Sequence, residues 1–295
     1  MTRASRATAE RVAKLHGVGA RGKTGCVLNG AIIMNSFTSP NPDPHSGASN
    51  VALAGYVARP RIGIITGSGP EAGLDLWTKV LRENRRRMGS QFRHDTDAPA
   101  VDIISDPALG LSMELDHTEQ EVWTALRADA EALDGRVAAY AIACNTLNVF
   151  APRLNELGLT ARLISFADVL AAHLRRRGDT RVCLLGARTV AELGAWSPYR
   201  SLRSVVDFEP LDEDGRMALH QLIYDVKQYG SHHPDLRERF VRLLDRVRSD
   251  TVLLACTELP LIADVETSKH LVDVTQLVAE ALVDCTGLAA TPGGA

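Results

Sequence analysis

From Arg61 onward, short continuous apolar runs alternate with longer stretches in which apolar residues recur every three or four positions. The runs "RIGIIT", "AVDIISD", "VAAYAIAC" and "ARLIS" predict strands; the first is continuously apolar, and "YAIAC" within the third reads as fully buried. The stretches between them predict helices. In "EAGLDLWTKVLREN" the spacing places Leu74, Trp77 and Leu81 on one face, with Pro70 suited to the first turn. "TEQEVWTALRADAEALDG" reads as a helix closing at Gly135, "VFAPRLNELG" as a short helix, and "ADVLAAHLRRRG" as a helix closing at Gly178.

The order then begins again. "RVCLLG" predicts a strand, "TVAELGAW" the opening of a helix and "SVVDFEP" a strand. "GRMALHQLIYDVKQYG" and "PDLRERFVRLLDRVRSD" predict helices, "TVLLAC" and "LVDVT" strands, and "QLVAEALVDCTG" the last helix. Three pieces recur in sequence: "RIGIITG" with "RVCLLGA", "YAIACNT" with "VLLACTE", and "ARLISFADVLAAHL" with "HLVDVTQLVAEAL". Strand–helix alternation implies parallel sheets flanked by helices, and twofold repetition implies two pseudo-symmetric α/β lobes. The expected division is residues 59–165 plus 270–295 in the first lobe and 166–269 in the second.

Residues 1–58 break the pattern. Arg3, Arg6, Arg11, Lys14, Arg21 and Lys23 outnumber the acids there, and "SFTSPNPDPHSGAS" is a turn-forming tract. The expectation is a flexible N-terminal extension. Met34 is an alternative start of the chain.

Composition narrows the function classes. The chain of 295 residues is 45% hydrophobic and 23% charged, with net charge −3, which points neither to nucleic acid nor to an anionic membrane as partner. No apolar run approaches the roughly 20 residues of a membrane span. The five cysteines are scattered and none forms a CxxC pair, so reduced thiols in a cytoplasmic protein are expected, with no metal site.

Two of those cysteines stand out. Cys144 and Cys256 close equivalent strands of the repeat, each followed by small polar residues: Asn145 and Thr146 after the first, Thr257 after the second. Parallel sheets bind ligands beyond the carboxyl ends of their strands. Lobes facing each other would bring both thiols to one cleft. A thiolate base on one side of a carbon and a thiol acid on the other can invert a stereocentre, which a single base cannot easily do. A following helix N-terminus would favour the thiolate, and its N–H groups, with Asn145, Thr146 and Thr257, would hold a carboxylate. Cys183, inside its strand, reads as a small core residue.

These motifs resemble the aspartate/glutamate racemase superfamily from Arg61 to about Leu288, and its aspartate-racemase-like branch in particular. The resemblance implies a cofactor-independent, two-lobed amino-acid racemase with Cys144 and Cys256 as acid/base residues. It also implies Asn145, Thr146 and Thr257 on the α-carboxylate. Glu258 stands where that branch has Glu and the glutamate racemases have His. "ITGSGPEAG" is similar to the branch's first loop, so Gly67, Ser68 and Gly69 should line the cleft. "LIYDVKQYG" is similar to another of its segments. A homodimer is expected by the same analogy.

The chain also departs from the branch. Asn148 replaces a frequent His. No Arg occurs in "SDPALGLSMELDH", where aspartate-specific members carry one for the distal carboxylate, and Ser112 falls near its place. Gly186-Ala187 replaces Gly-Thr, with Thr189 nearby as a substitute ligand. The apolar Leu109-Gly110-Leu111 would suit a less acidic substrate.

Other motifs weigh less. "GSGPEAG" lacks the spacing of a dinucleotide loop, and no Lys follows it as in a phosphate loop. "SHHP" is expected to be an exposed loop, and "ENRRRMG" and "HLRRRGD" to be solvated helix ends that complement the helix dipole. Glu258 is expected to orient the substrate ammonium or tune Cys256. The competing readings on this scaffold are a maleate-isomerase-like enzyme and a small-acid-binding protein. An arylmalonate-decarboxylase-like enzyme is disfavoured because both thiols are present.

Overall fold

The computed structural model describes residues 59–288. The expected N-terminal extension and the alternative start at Met34 lie outside the described residues, as do residues 289–295.

Two four-stranded parallel sheets are present. The first contains β1 (Ile62–Thr66), β2 (Val101–Ser105), β3 (Ala139–Ile142) and β4 (Arg162–Leu163), in the spatial order β2-β1-β3-β4. The second contains β5 (Arg181–Gly186), β6 (Asp207–Glu209), β7 (Thr251–Ala255) and β8 (His270–Asp273), in the order β6-β5-β7-β8. The same order in both sheets is the structural counterpart of the sequence repeat. β1, β3 and β7 are buried along their whole length, as their unbroken apolar runs require.

Eight α-helices connect and cover the strands of the described residues: α1 (Pro70–Met88), α2 (Leu115–Leu133), α3 (Ala151–Glu156), α4 (Phe166–Arg177), α5 (Arg188–Ala191), α6 (Glu213–Tyr229), α7 (Leu236–Leu244) and α8 (Val274–Asp284). Their ends follow local chemistry. Pro70 opens α1, and the side chains of Ser165, Asp212 and Asp273 accept hydrogen bonds from the first turns of α4, α6 and α8. Gly178 closes α4 in the left-handed conformation.

Several sequence expectations are corrected. His270–Asp273, assigned to the first lobe, pairs with β7 in the second sheet, so the boundary at 270 does not hold for that strand. Only the helix after it, α8, turns to the first lobe, where it packs along α1 and touches both β3 and β7. Its side chains Val274, Val278, Ala279, Leu282 and Val283 join a buried cluster that also holds Ile62 and Ile64 of β1 and Leu253 and Ala255 of β7. Each fully buried aliphatic side chain there contributes roughly 1.5–3 kcal/mol.

The apolar face of α1 is displaced from the expected one. Leu74 is 64% exposed, while Leu76 and Val80 are buried and Trp77 lies at the edge of the core. The arginine cluster at the end of α1 is only partly solvated. Arg87 is buried, ion-paired to Glu83 (2.5 Å) and Asp284, and bonded to the carbonyl oxygens of Glu280 and Leu288. It ties α1 to α8.

Candidate active site

In each sheet the first strand lies inside, and the chain runs outward from it in both directions. The crevice forms where the direction reverses, between β1 and β3 in one sheet and between β5 and β7 in the other. Ala143 N–H donates to Ile65 O (2.8 Å), and Gly186 stands level with Ala255. Cys144, two residues past the carboxyl end of β3, and Cys256, one past that of β7, come next, and both are buried.

The helices expected after the two cysteines are short 3₁₀ turns, Thr146–Phe150 and Leu259–Ile262, the first continuing into the six-residue α3. Cys144 faces hydroxyls. Its Sγ is 3.3 Å from Ser68 Oγ and 4.0 Å from Ser112 Oγ, and the two serines are hydrogen-bonded to each other at 2.7 Å. Cys256 faces a carboxylate, its Sγ 2.9 Å from Glu258 Oε2, which Thr257 also approaches at 3.3 Å. Burial, then the charge of Glu258, push the Cys256 thiol well above the usual cysteine range, with Lys227 pulling the other way.

Lys227, on α6, places Nζ 2.5 Å from Glu258 Oε1 and donates to Ser68 O at 2.5 Å, spanning the cleft. Burial works against its ammonium, but the charges of Glu258, Cys256 and Cys144 outweigh burial and hold its pKa above the ordinary lysine value. Tyr199 is fully buried, and its hydroxyl donates to Asn145 Oδ1. Burial raises its pKa well above the usual phenol range, and the charges of Cys144 and Cys256 add to this. Tyr199 and Lys227 therefore each lie within electrostatic reach of both sulfurs. Tyr224 donates to Glu114 Oε1 (3.3 Å) and Ser231 N–H to Glu71 Oε2 (3.3 Å), so α6 and the residues after it are tied to elements of the first lobe.

The expected loop residues divide. Gly67 has φ +123°, and a Cβ there would lie 1.9 Å from Asp106 O, so it shapes the loop. Ser68 reaches Cys144. Gly69 approaches Glu258: a Cβ would lie 2.5 Å from Oε1 and 3.3 Å from Lys227 Nζ. Asn145, Thr146 and Thr257 are all buried beside the sulfurs, and Asn145 Nδ2 has no hydrogen-bond partner. Thr189, expected as a ligand, is half-buried on α5, and its side chain makes no hydrogen bond to the cysteines or their neighbours.

Asn148, which stands in place of the expected His, bonds Cys144 O through Nδ2 (2.8 Å) and accepts Phe166 N–H through Oδ1 (3.0 Å), fixing the cysteine loop to α4. The apolar triplet read as suiting a less acidic substrate divides. Leu109 enters the core with α2, Leu111 is 47% exposed, and Ser112, which is fully buried, is the residue of that loop nearest the sulfur. Tyr199 was not found from sequence, because it sits in a loop outside any periodic pattern.

A cavity of ≈ 900 Å³ opens elsewhere in the second lobe, among Leu184, Phe208, Leu211, Met217, Arg188 and His220. Neither thiol borders it. Two of its arginines are already occupied, Arg216 with Glu213 and Arg188 with Glu192. Among the described residues, no group of three or more His, Cys, Asp or Glu side chains is placed to hold a metal ion, and no helix is long and apolar enough to cross a membrane.

Residues 65–282 match the model of the Asp/Glu/Hydantoin racemase family, a span covering well over half of the chain. The chain belongs to this family. It is therefore an isomerase of the racemase class. No curated protein matches it by sequence. Among solved structures, the aspartate racemase of Picrophilus torridus is 22% identical, with a TM-score of 0.64 over 79% of this chain and 96% of that one. An aspartate racemase homologue from Pyrococcus horikoshii is 22% identical, with a TM-score of 0.61 over 77% and 99%. The glutamate racemase of Campylobacter jejuni is 14% identical, with a TM-score of 0.55 over 80% and 89%. At these identities the likeness is one of fold.

Proposed function

We propose that this racemase inverts the α-carbon of a small amino acid by moving protons between Cys144 and Cys256 without a cofactor. The observation that carries this reading is that two thiols, at matching strand ends of a repeated fold, are linked through Lys227, which bonds Ser68 beside Cys144 and Glu258 beside Cys256. Cys256 enters as the protonated partner, since burial and Glu258 disfavour its thiolate. Cys144, against the Ser68–Ser112 hydroxyl pair, enters as the base. The proton taken from one face of the carbon ends on one sulfur, and the other sulfur delivers its own to the opposite face. In the reverse direction the roles exchange. Asn145 Nδ2, Thr146 and Thr257 would hold the α-carboxylate, where negative charge grows as the proton leaves.

The distal group of the substrate is neutral in this reading. Lys227 already has its charge met by Glu258, and the residue of the 107–114 loop nearest Cys144 is a serine. The cleft must admit substrate and then exclude water. The four described cysteines are free, which fits a reducing, cytoplasmic setting. A homodimer accords with the family.

The test is a panel of single enantiomers incubated in heavy water, followed by chiral chromatography and mass spectrometry. Inversion with α-deuterium incorporation is expected, fastest for a small neutral amino acid. Aspartate turning over faster than every neutral amino acid would reject the specificity, and no α-exchange with any amino acid would reject the racemisation.

A further inference from the structure

The residues around Asn145 assign a task to a side chain that no motif marked. Tyr199 follows α5 in the second lobe, and its approach is built with care. Leu193 has φ 54°, the one non-glycine residue with positive φ among the described residues. Ser197 donates to Val190 O (2.7 Å) and accepts Tyr199 N–H (3.3 Å), and Leu202 N–H is bonded to Tyr199 O at 2.9 Å. The segment delivers a fully buried phenol across the cleft to Asn145, one residue beyond Cys144 in the first lobe.

A side-chain amide has two faces, an acceptor and a donor. Here the acceptor, Oδ1, takes the Tyr199 hydroxyl, and the donor, Nδ2, is buried with nothing to bond. A buried donor without a partner is unfavourable, and a carboxylate oxygen of the substrate would satisfy it. With the amide turned over, Oδ1 would face that carboxylate, acceptor against acceptor, and the buried phenol proton would lose its partner.

We propose that Tyr199 is a positioning residue whose hydroxyl locks the Asn145 amide with Nδ2 turned toward the substrate carboxylate. The inference rests on the racemase reading above. It also explains why a phenol sits within reach of both sulfurs. The negative charge alternates between Cys144 and Cys256 during turnover, and the carboxylate must stay in place through both halves. Burial and the two sulfur charges keep the phenol protonated, so it remains a donor whichever thiol is ionised.

The experiment compares Tyr199→Phe, Asn145→Ala and the double variant. Removing the hydroxyl keeps the ring, so the melting temperature checks that the fold is intact. Each single variant is expected to lose about ten- to a hundredfold in kcat/KM, and the double variant no more than the worse single one. Losses that multiply would overturn the proposal, because a structural tyrosine acts independently of Asn145. A second readout needs no turnover. The side-chain amide resonance of Asn145, assigned by its loss in Asn145→Ala, should shift and lose exchange protection in Tyr199→Phe. An unchanged resonance would overturn the proposal while leaving racemisation untouched. A wild-type protein inactive on every amino acid would defeat the racemase reading, and the amide spectrum would still decide the tie.

Discussion

Cys256 Sγ lies 2.9 Å from Glu258 Oε2, at donating distance for the thiol, and the other oxygen of that carboxylate is 2.5 Å from the Lys227 ammonium. The chain Lys227–Glu258–Cys256 sets when this sulfur holds its proton. Burial and Glu258 raise the thiol, and Lys227 lowers it. Glu258→Gln removes a raising charge, so the thiol should titrate at lower pH. Lys227→Met removes the lowering charge, so it should titrate higher. In the direction where Cys256 is the donor, activity is lost as the thiol ionises. The alkaline limb of kcat/KM should therefore move down in the first variant and up in the second. Thiolate absorbance followed against pH checks the same two signs directly. Shifts of equal sign would remove Glu258 from this role.

The two sulfurs are not interchangeable, and their substitution should show it. Cys144→Ser and Cys256→Ser should each lower inversion by about 10²–10⁴-fold, the usual worth of a positioned acid or base. One variant should still wash deuterium into a single enantiomer, since the remaining thiol can act on its own face. Inversion that survives either change at the wild-type rate would refute the two-base mechanism.

Gly69 is a place where one methyl group should disable the site without unfolding the protein. Its Cβ would sit 2.5 Å from Glu258 Oε1 and 3.3 Å from Lys227 Nζ, so Gly69→Ala must push the carboxylate aside. We expect kcat to fall about tenfold or more with a melting temperature within a few degrees of wild type. The thiol titration of Cys256 should move as it does in Glu258→Gln. Wild-type kinetics in Gly69→Ala would contradict this close approach.

Asp129 on α2 gives a stability prediction. It is nearly buried, its Oδ2 has no partner, and burial, aided by the charge of Asp106, raises its pKa to about 6. A folded-state pKa above the unfolded one means that the fold favours the protonated form. That stability is present in acid and is lost as pH rises through about 6. Asp129→Asn should therefore stabilise the protein at pH 8 by about 1 kcal/mol, after allowance for solvent screening, or a few degrees of melting temperature. At pH 4 the two proteins should melt alike. A lower melting temperature of the variant at pH 8 would refute the assignment.

The fold was legible because its inner strands β1, β3 and β7 are unbroken apolar runs and the repeat fixes the order of the rest. β3 and β7, the strands that carry the cysteines, could be placed from sequence alone. Placement of the sulfurs and of Asn145, Thr146, Thr257 and Glu258 followed, since each sits within two residues of a cysteine. What sequence could not give are contacts made across the cleft. Lys227 was visible only as part of a helical motif, and Tyr199 lies 54 positions from the asparagine it holds. Leu74 shows a different limit. Helical spacing identifies an apolar stripe, but α1 also buries Glu83 and Asn84, so its covered face is rotated away from the leucine. The lobe boundary failed at β8 for a related reason. A strand and the helix after it need not serve the same sheet.

That last arrangement has a consequence for how the molecule can be divided. The helix after β8 fills the seam between the two sheets and packs on α4 and α1, so the apolar interior runs unbroken from one half of the repeat into the other. Cut at the midpoint of the duplication, neither fragment would own a finished interior. Each would be adhesive on the side its counterpart normally covers, and two such pieces made separately should recombine in solution rather than stand alone.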